Sequence, residues 1–331
     1  MSKLSHLLFM LKVSTILLSC FTFSCVDTGA EQLRIPLYVS ATALDTFGVL
    51  SQQPEDEDAD LPSIELEPGQ YLLLDQAKLA FGSLYFCAGT NAGDLCENAQ
   101  AEWLGSVVIN LLNDQVVPAG DLIGHSGMVR SWMFDLGLSS LLTHRKPYEL
   151  EAAQELGGAS LVLSGRILKI SEGDSNDEEK KELPFSLSMK IQQNDETELG
   201  VPVIRKSAST VFEHDLSSND SSLLIQFSLE SWLKKLNFSS YFSTETLLCE
   251  EMRLEDVESH LAPSCNGTIE QYCDPETGEL QMRDCSQFAQ YCLPDFGCME
   301  ELELTNKTQQ YRTIRNAVLL EGRPNFIWNQ L

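Results

Sequence analysis

Apolar and polar residues alternate along several short runs, and a period of two marks a strand with one buried face. The stretch PFSLSMKI inside residues 183–193 shows it most plainly, and residues 33–42, 160–170, 201–212 and 222–230 read as further strands. Residues 71–87 (YLLLDQAKLAFGSLYFC) are apolar almost throughout and predict one or two strands, broken near residues 75–78. The connections EGDSNDEEKK and NDETELG are charged and turn-rich, as between strands of an antiparallel meander with one wet face. At 97–113 the spacing changes to three and four. Trp103, Leu104, Val107, Val108, Leu111 and Leu112 fall on one helical face with Glu97 in the first turn, which predicts a helix packed across the sheet. A shorter helix is predicted at 147–156, opened by Pro147 and stopped by Gly157-Gly158. Residues 231–241 read as a short turn of helix or loop. Residues 313–320 read as a strand, and Phe326 and Trp328 give the tail an apolar pair with which to pack on the main domain.

The predicted fold class is therefore α+β, dominated by strands: an antiparallel sheet or sandwich with one packed helix, plus a small disulfide-rich module. The expected division is a signal peptide at 1–24, a tether and acidic spacer with one strand at 25–68, and a strand-rich domain at 69–246. A cysteine module at 247–300 and a C-terminal tail at 301–331 follow.

The signal assignment rests on Lys3 and Lys12 followed by residues 13–24 almost without charge, a run too short for the roughly 20 apolar residues that span a bilayer. It ends at Leu17-Leu18-Ser19-Cys20 and again at Thr22-Phe23-Ser24-Cys25. Both ends resemble a bacterial lipobox, whose cysteine receives a diacylglyceryl group and becomes the first residue. Leu17, three residues before Cys20, fits the local pattern better than Thr22 before Cys25. Parity favours Cys25, because the chain has 10 cysteines and lipidation there leaves an even set to pair, Cys87, Cys96, Cys249, Cys265, Cys273, Cys285, Cys292 and Cys298. Cys25 is the expected lipidation site and Cys20 the alternative. An ordinary cut after Ala30, with no lipid, is the competing reading.

Cysteines in an exported chain read as cross-links, because disulfides persist outside the cytosol. Cys87 and Cys96 flank a loop rich in turn formers, which predicts a local bridge. The six from Cys249 to Cys298 lie in a Gly- and Pro-containing stretch too poor in aliphatic residues to pack a core alone. Six cysteines allow 15 pairings, and spacing does not choose among them. The order of signal, acidic spacer, strand-rich domain with one Cys-Cys loop and a CxGxxxxxC module resembles uncharacterised outer-envelope lipoproteins of delta-proteobacterial type. The residues that carry the likeness are Cys265-Asn266-Gly267, Cys273-Asp274-Pro275, Asp284-Cys285 and Gly297-Cys298. The resemblance implies a lipid-anchored place at the outer membrane or cell surface and carries no activity.

With 22 basic against 49 acidic residues, the formal charge of -27 repels nucleic acid, and no Lys/Arg cluster with interleaved aromatics offsets it. Nucleic acid is excluded as a partner. The partners expected are the membrane, through the lipid, and an envelope protein or polysaccharide.

Three motifs invite chemistry. Gly124-His125-Ser126-Gly127-Met128 approaches the G-x-S-x-G nucleophile elbow, but Met128 stands where the tight turn needs glycine and no helix pattern follows. A secreted hydrolase using Ser126 is thus an alternative function. Asp56, Asp58 and Asp60 occupy positions 1, 3 and 5 of a calcium-loop window that ends in Glu67, yet Leu61 and Pro62 replace the central glycine and its successor. Weak calcium-dependent binding is the second alternative. No CxxC pair occurs, and the spacings between Cys265 and Cys298 do not suit zinc. His125 with Asp121 and Asp135 has no spacing that sets two ligands on one face, and Trp232, Phe238 and Tyr241 read as packing rather than as a sugar platform. No cofactor is implied, and the expected function is a non-enzymatic envelope lipoprotein that binds or scaffolds.

Overall fold

The computed structural model describes residues 31–45, 61–89, 99–139, 148–172, 178–191, 212–242, 263–266, 269–273, 280–288, 290–293, 297–320 and 323–329. Strand β1 (Gln32–Ala41) alternates as the sequence predicts, with Leu33, Ile35, Leu37, Val39 and Ala41 turned into the core. Strand β2 (Ser63–Glu67) turns through Gly69, at φ +76°, into β3 (Gln70–Cys87), the 18-residue spine of the molecule. After β3 come β4 (Ala99–Asn110), β5 (Val117–His125), β6 (Gly127–Val129) and β7 (Ser131–Asp135), then the two-residue strands β8 (Leu138–Ser139) and β9 (Tyr148–Glu149). Helix α1 (Glu151–Glu155) leads into β10 (Leu161–Glu172) and β11 (Glu178–Met189), followed by β12 (His214–Leu216), β13 (Leu223–Phe227) and helix α2 (Glu230–Leu233).

The cysteine module contributes β14 (Ser264–Asn266), β15 (Ile269–Cys273), β16 (Leu280–Asp284), β17 (Tyr291–Leu293) and β18 (Gly297–Met299). The chain then returns to the main sheet as β19 (Leu302–Glu303), helix α3 (Gln309–Leu320) and β20 (Asn325–Trp328). The strand-dominated α+β class is what the molecule adopts. Its large sheet holds 11 strands in the order β19-β11-β10-β3-β4-β5-β1-β13-β20, with β2 and β7 also paired to β3. Pairing is antiparallel except at β1 with β13 and β11 with β19, which makes the sheet mixed.

The unbroken apolar text of β3 follows from two irregularities. Leu72 and Leu74 face the core, Asp75 is the extra residue of a bulge against β10, and Ala77, Leu79 and Phe81 then face inward. At Ser83, with φ +38°, a second register shift returns the even residues Leu84 and Phe86 to the interior. Each irregularity reverses the inward parity of the strand. The outward residues are buried as well: Leu73 packs with Leu168, Ala80 with Ala152 and Ala153 of α1, and Tyr85 with Met133. A strand covered on both faces has no polar side to show, so its periodicity disappears.

The helix expected at 97–113 is instead strand β4. Ala101, Trp103, Val107 and Ile109 point into the core at even spacing, while Val108 faces outward and is covered by α1. Apolar residues on both faces, with a register shift at Gly105, reproduce the three-and-four spacing of a helix. The β-branched run Val107-Val108-Ile109 favours the strand. The second expected helix is shortened to α1, with Tyr148 and Glu149 in β9, and it stops at Gly157 and Gly158, both at positive φ. The strand expected at 313–320 is helix α3. Its buried residues Gln310, Tyr311, Ile314, Ala317 and Val318 recur at helical spacing, and the Thr308 hydroxyl accepts the Tyr311 N–H at its start. The strand expected at 201–212 lies outside the described residues apart from Phe212, which stacks on Phe86.

Aromatic rings fill the interior. Phe81 lies 5.6 Å from Trp103, 5.5 Å from Phe134 and 5.3 Å from Phe227, centroid to centroid. Phe326, on the terminal strand β20, reaches Trp132 of β7 at 5.0 Å and Phe86 of β3 at 5.3 Å. Contact between a terminal strand and the middle of the sheet requires the sheet to curl around its core. Helices α2 and α3 extend that core with Trp232, Leu233, Tyr311 and Ile314.

At the β2–β3 hairpin Tyr71 pairs with Glu65. Burial of the phenol, then the Glu65 charge and hydrogen bond, hold its pKa above the ordinary value near 10. The folded state thus keeps the Tyr71 proton longer than the unfolded chain does. The stability this confers is complete below about pH 10 and is lost as pH rises through the higher folded value. Glu65→Gln is expected to move the Tyr71 transition down in an ultraviolet phenol titration, and an unmoved transition contradicts the assignment.

Candidate functional site

Ser126 joins β5 to β6 and is partly buried. Its Oγ accepts the Glu31 N–H at 3.0 Å, its N–H donates to the Glu31 carbonyl at 2.8 Å, and its carbonyl accepts Gln100 Nε2 at 2.8 Å. The hydroxyl thereby fastens the entry to β1. Among the described residues no histidine ring bonds to it: His125 is exposed, and His214 Nε2 lies 3.1 Å from Asp220 Oδ1. His144 and His260 lie outside the described residues.

Asp56, Asp58 and Asp60 also lie outside the described residues. Glu67, the last position of that window, is engaged within the protein, accepting Asn237 Nδ2 at 2.9 Å and Ser239 Oγ at 3.1 Å. Asp121 pairs with Arg34, Asp135 is fully buried in β7, and His125 is exposed, so the set is dispersed. Trp232 and Phe238 are interior, and the Tyr241 hydroxyl donates to Gln310 Oε1 at 3.2 Å. These rings pack the core and offer no platform.

A cluster that the sequence did not single out holds the last strand. The His214 ring stacks on Trp328 with centroids 3.9 Å apart and planes inclined by 4°. Asp220, almost wholly buried, accepts the Ser217 N–H at 3.0 Å besides bonding His214. Asn329, at φ +63°, accepts the Ser221 N–H at 2.7 Å. These contacts anchor β20 beside β12 and β13, and the residues are far apart in the sequence, which hides them from pattern reading.

The most distinctive surface belongs to the cysteine module. Strands β14, β15 and β16 form a three-stranded sheet, and β17 pairs with β18 as a hairpin. Cys265–Cys292 ties sheet to hairpin, and Cys285–Cys298 ties the turn after β16 to β18. Cys265, Cys285 and Cys292 are themselves the buried cluster of the module, with Cys298 against them. Cys87 is also disulfide-bonded, while Cys20, Cys25, Cys96 and Cys249 lie outside the described residues, as does the side chain of Cys273.

Among the described residues the module's own buried cluster is made of cysteines, and its larger apolar side chains, Leu293 apart, remain exposed. Among the described residues, seven of the thirteen exposed large hydrophobic ones lie between Ile269 and Met299, and they include Met282 at 64% and Phe288 at 58% exposure. Tyr291 and Met299 are cross-strand neighbours, and the Arg283 guanidinium lies 4.9 Å from the Phe288 ring centre. Arg283 is the single basic residue of 263–300, against seven acidic ones, a formal charge of 1 - 7 = -6. Exposed aromatic and methionine side chains carried on a cross-linked frame, in a segment of net negative charge, have the composition of protein-binding surfaces. The chain matches no protein-family model, no curated protein and no solved structure.

Proposed function

We propose that this protein is a non-enzymatic, lipid-anchored module of the bacterial envelope that binds a partner protein through its cysteine module. The observation that carries the reading is the crowding of exposed apolar side chains onto that module. The main sheet would act as the rigid stand, and the acylated Cys25, or Cys20 in its place, would hold the molecule at the outer membrane or cell surface. The module's net negative charge selects a partner whose contact surface is apolar with basic residues at its rim. A disulfide-held frame presents such a surface with little ordering cost on binding.

The test uses intact cells making the full chain. A photo-crosslinker at position 288 is expected to join one discrete envelope protein with a basic surface, and Met282→Ser with Tyr291→Ser is expected to abolish that adduct. Persistence of the adduct in the double variant overturns the binding surface. Palmitate labelling lost in Cys25→Ala supports the anchor, whereas an unlabelled parent chain overturns it.

A further inference from the structure

We propose that Glu270, Cys285 and Cys298 form a redox-gated site for a divalent metal such as zinc, closed while the two sulfurs are bonded to each other and opened by reduction. One ligand atom from each residue lies within 4.8 Å of the other two. Tetrahedral zinc sets its ligands about 3.5 Å apart, so the carboxylate needs only a small inward shift, while the two sulfurs, bonded to each other, move apart once reduced to share the ion. They arrive from three parts of the module: Glu270 from β15, Cys285 from the turn after β16, and Cys298 from β18.

The carboxylate is seated on purpose-built backbone. Gly297, at φ +77°, precedes Cys298, and a Cβ there would overlap Glu270 Oε1. The positive φ favours glycine there, and the absent Cβ gives the carboxylate room beside the cystine. A negative group in that place opposes formation of two thiolates and so favours the disulfide. A divalent cation reverses the preference, because it neutralises thiolates and carboxylate together. Two sulfurs and one oxygen supply three ligands and leave a fourth position for water.

The gating step needs a dithiol reductant, small or protein-borne. Its thiolate attacks Cys298 Sγ, the partly exposed sulfur of the pair, and the S–S electron pair passes to Cys285, which is fully buried and takes up a proton. The second thiol of the reductant then displaces Cys298. The net change is two electrons and two protons gained by the cystine and lost by the dithiol. Metal binding afterwards releases the two thiol protons. Cys265–Cys292 keeps the sheet and hairpin joined meanwhile, so the metal takes over the staple that reduction removes. Because only the reduced form binds the ion, the ion must ease reduction by mass action.

The test titrates the full chain with reduced and oxidised dithiothreitol, with and without zinc, and maps free and protected thiols by alkylation and mass spectrometry. Zinc is expected to lower the dithiol-to-disulfide ratio for half-reduction of Cys285–Cys298 at least tenfold, about 30 mV for two electrons, and to protect those two thiols. Glu270→Gln is expected to be reduced more readily without zinc and to lose most of the zinc effect. An unchanged midpoint in the parent chain, or protection confined to other cysteines, overturns the site. A zinc effect undiminished in Glu270→Gln removes Glu270 from it.

Discussion

Replacing Phe81 by alanine is expected to lower the unfolding free energy by about 3–5 kcal/mol, the range for deleting a fully buried aromatic ring. Phe81 is fully buried where β3 changes its inward parity, and its ring touches rings from β4, β7 and β13. The cost combines the apolar transfer of the ring with the cavity left among groups that cannot follow it. Trp103 is held from refilling the space, since its Nε1 donates to the Ala119 carbonyl at 2.9 Å. Urea unfolding with disulfides intact should show a lower midpoint at unchanged slope. A loss under about 1 kcal/mol would show that the neighbouring rings collapse into the gap.

Gly165→Ala is expected to cost about 3 kcal/mol, the upper part of the overpacking range, because the obstacle is backbone. At the Asp75 bulge β10 crosses β3 so closely that a Cβ on Gly165 would overlap the Leu73 carbonyl oxygen and stand 3.0 Å from Leu74 Cα. A flexible side chain could swing away, whereas this carbonyl belongs to the central strand. Gly157→Ala is the control: Gly157 has φ +66° and nothing within 4 Å of the added carbon, so only the left-handed backbone penalty of about 1 kcal/mol applies. Equal losses in the two variants would refute the close crossing. Both variants should keep the cysteine module's surface, since neither residue touches it.

Local alternation was sufficient where one face of a strand is wet. In β11, Leu183, Phe185, Leu187 and Met189 are buried and alternate with less buried residues, so the text alone finds residues 183–189, though not the charged start of the strand at Glu178. It failed where both faces are covered. In β4 the outward Val108 is partly covered by α1, an element about 45 residues downstream, and the resulting pattern imitates a helix. In α3 the true helical face includes Gln310, buried because its Nε2 reaches the Asn237 carbonyl at 2.6 Å, a partner that apolar counting cannot see. The candidate site divides in the same manner. Cysteine density marks the module, yet the exposure of Met282 and Phe288 is set only in the folded module, whose own buried cluster is made of cysteines. The metal-ligand trio escapes spacing rules because β15, β16 and β18 are brought together by pairing and cross-linking.

The sequence by itself determined the strand-dominated class, the strongly acidic balance and the presence of a cystine-held segment, because each depends on composition or on contacts between near neighbours. Only the tertiary structure decided the parity of β3, the identity of β4 and α3, the two disulfide pairs and which apolar side chains remain outside. Those features are settled by what lies on the far side of each element, and burial is a property of the assembled fold that no residue carries alone.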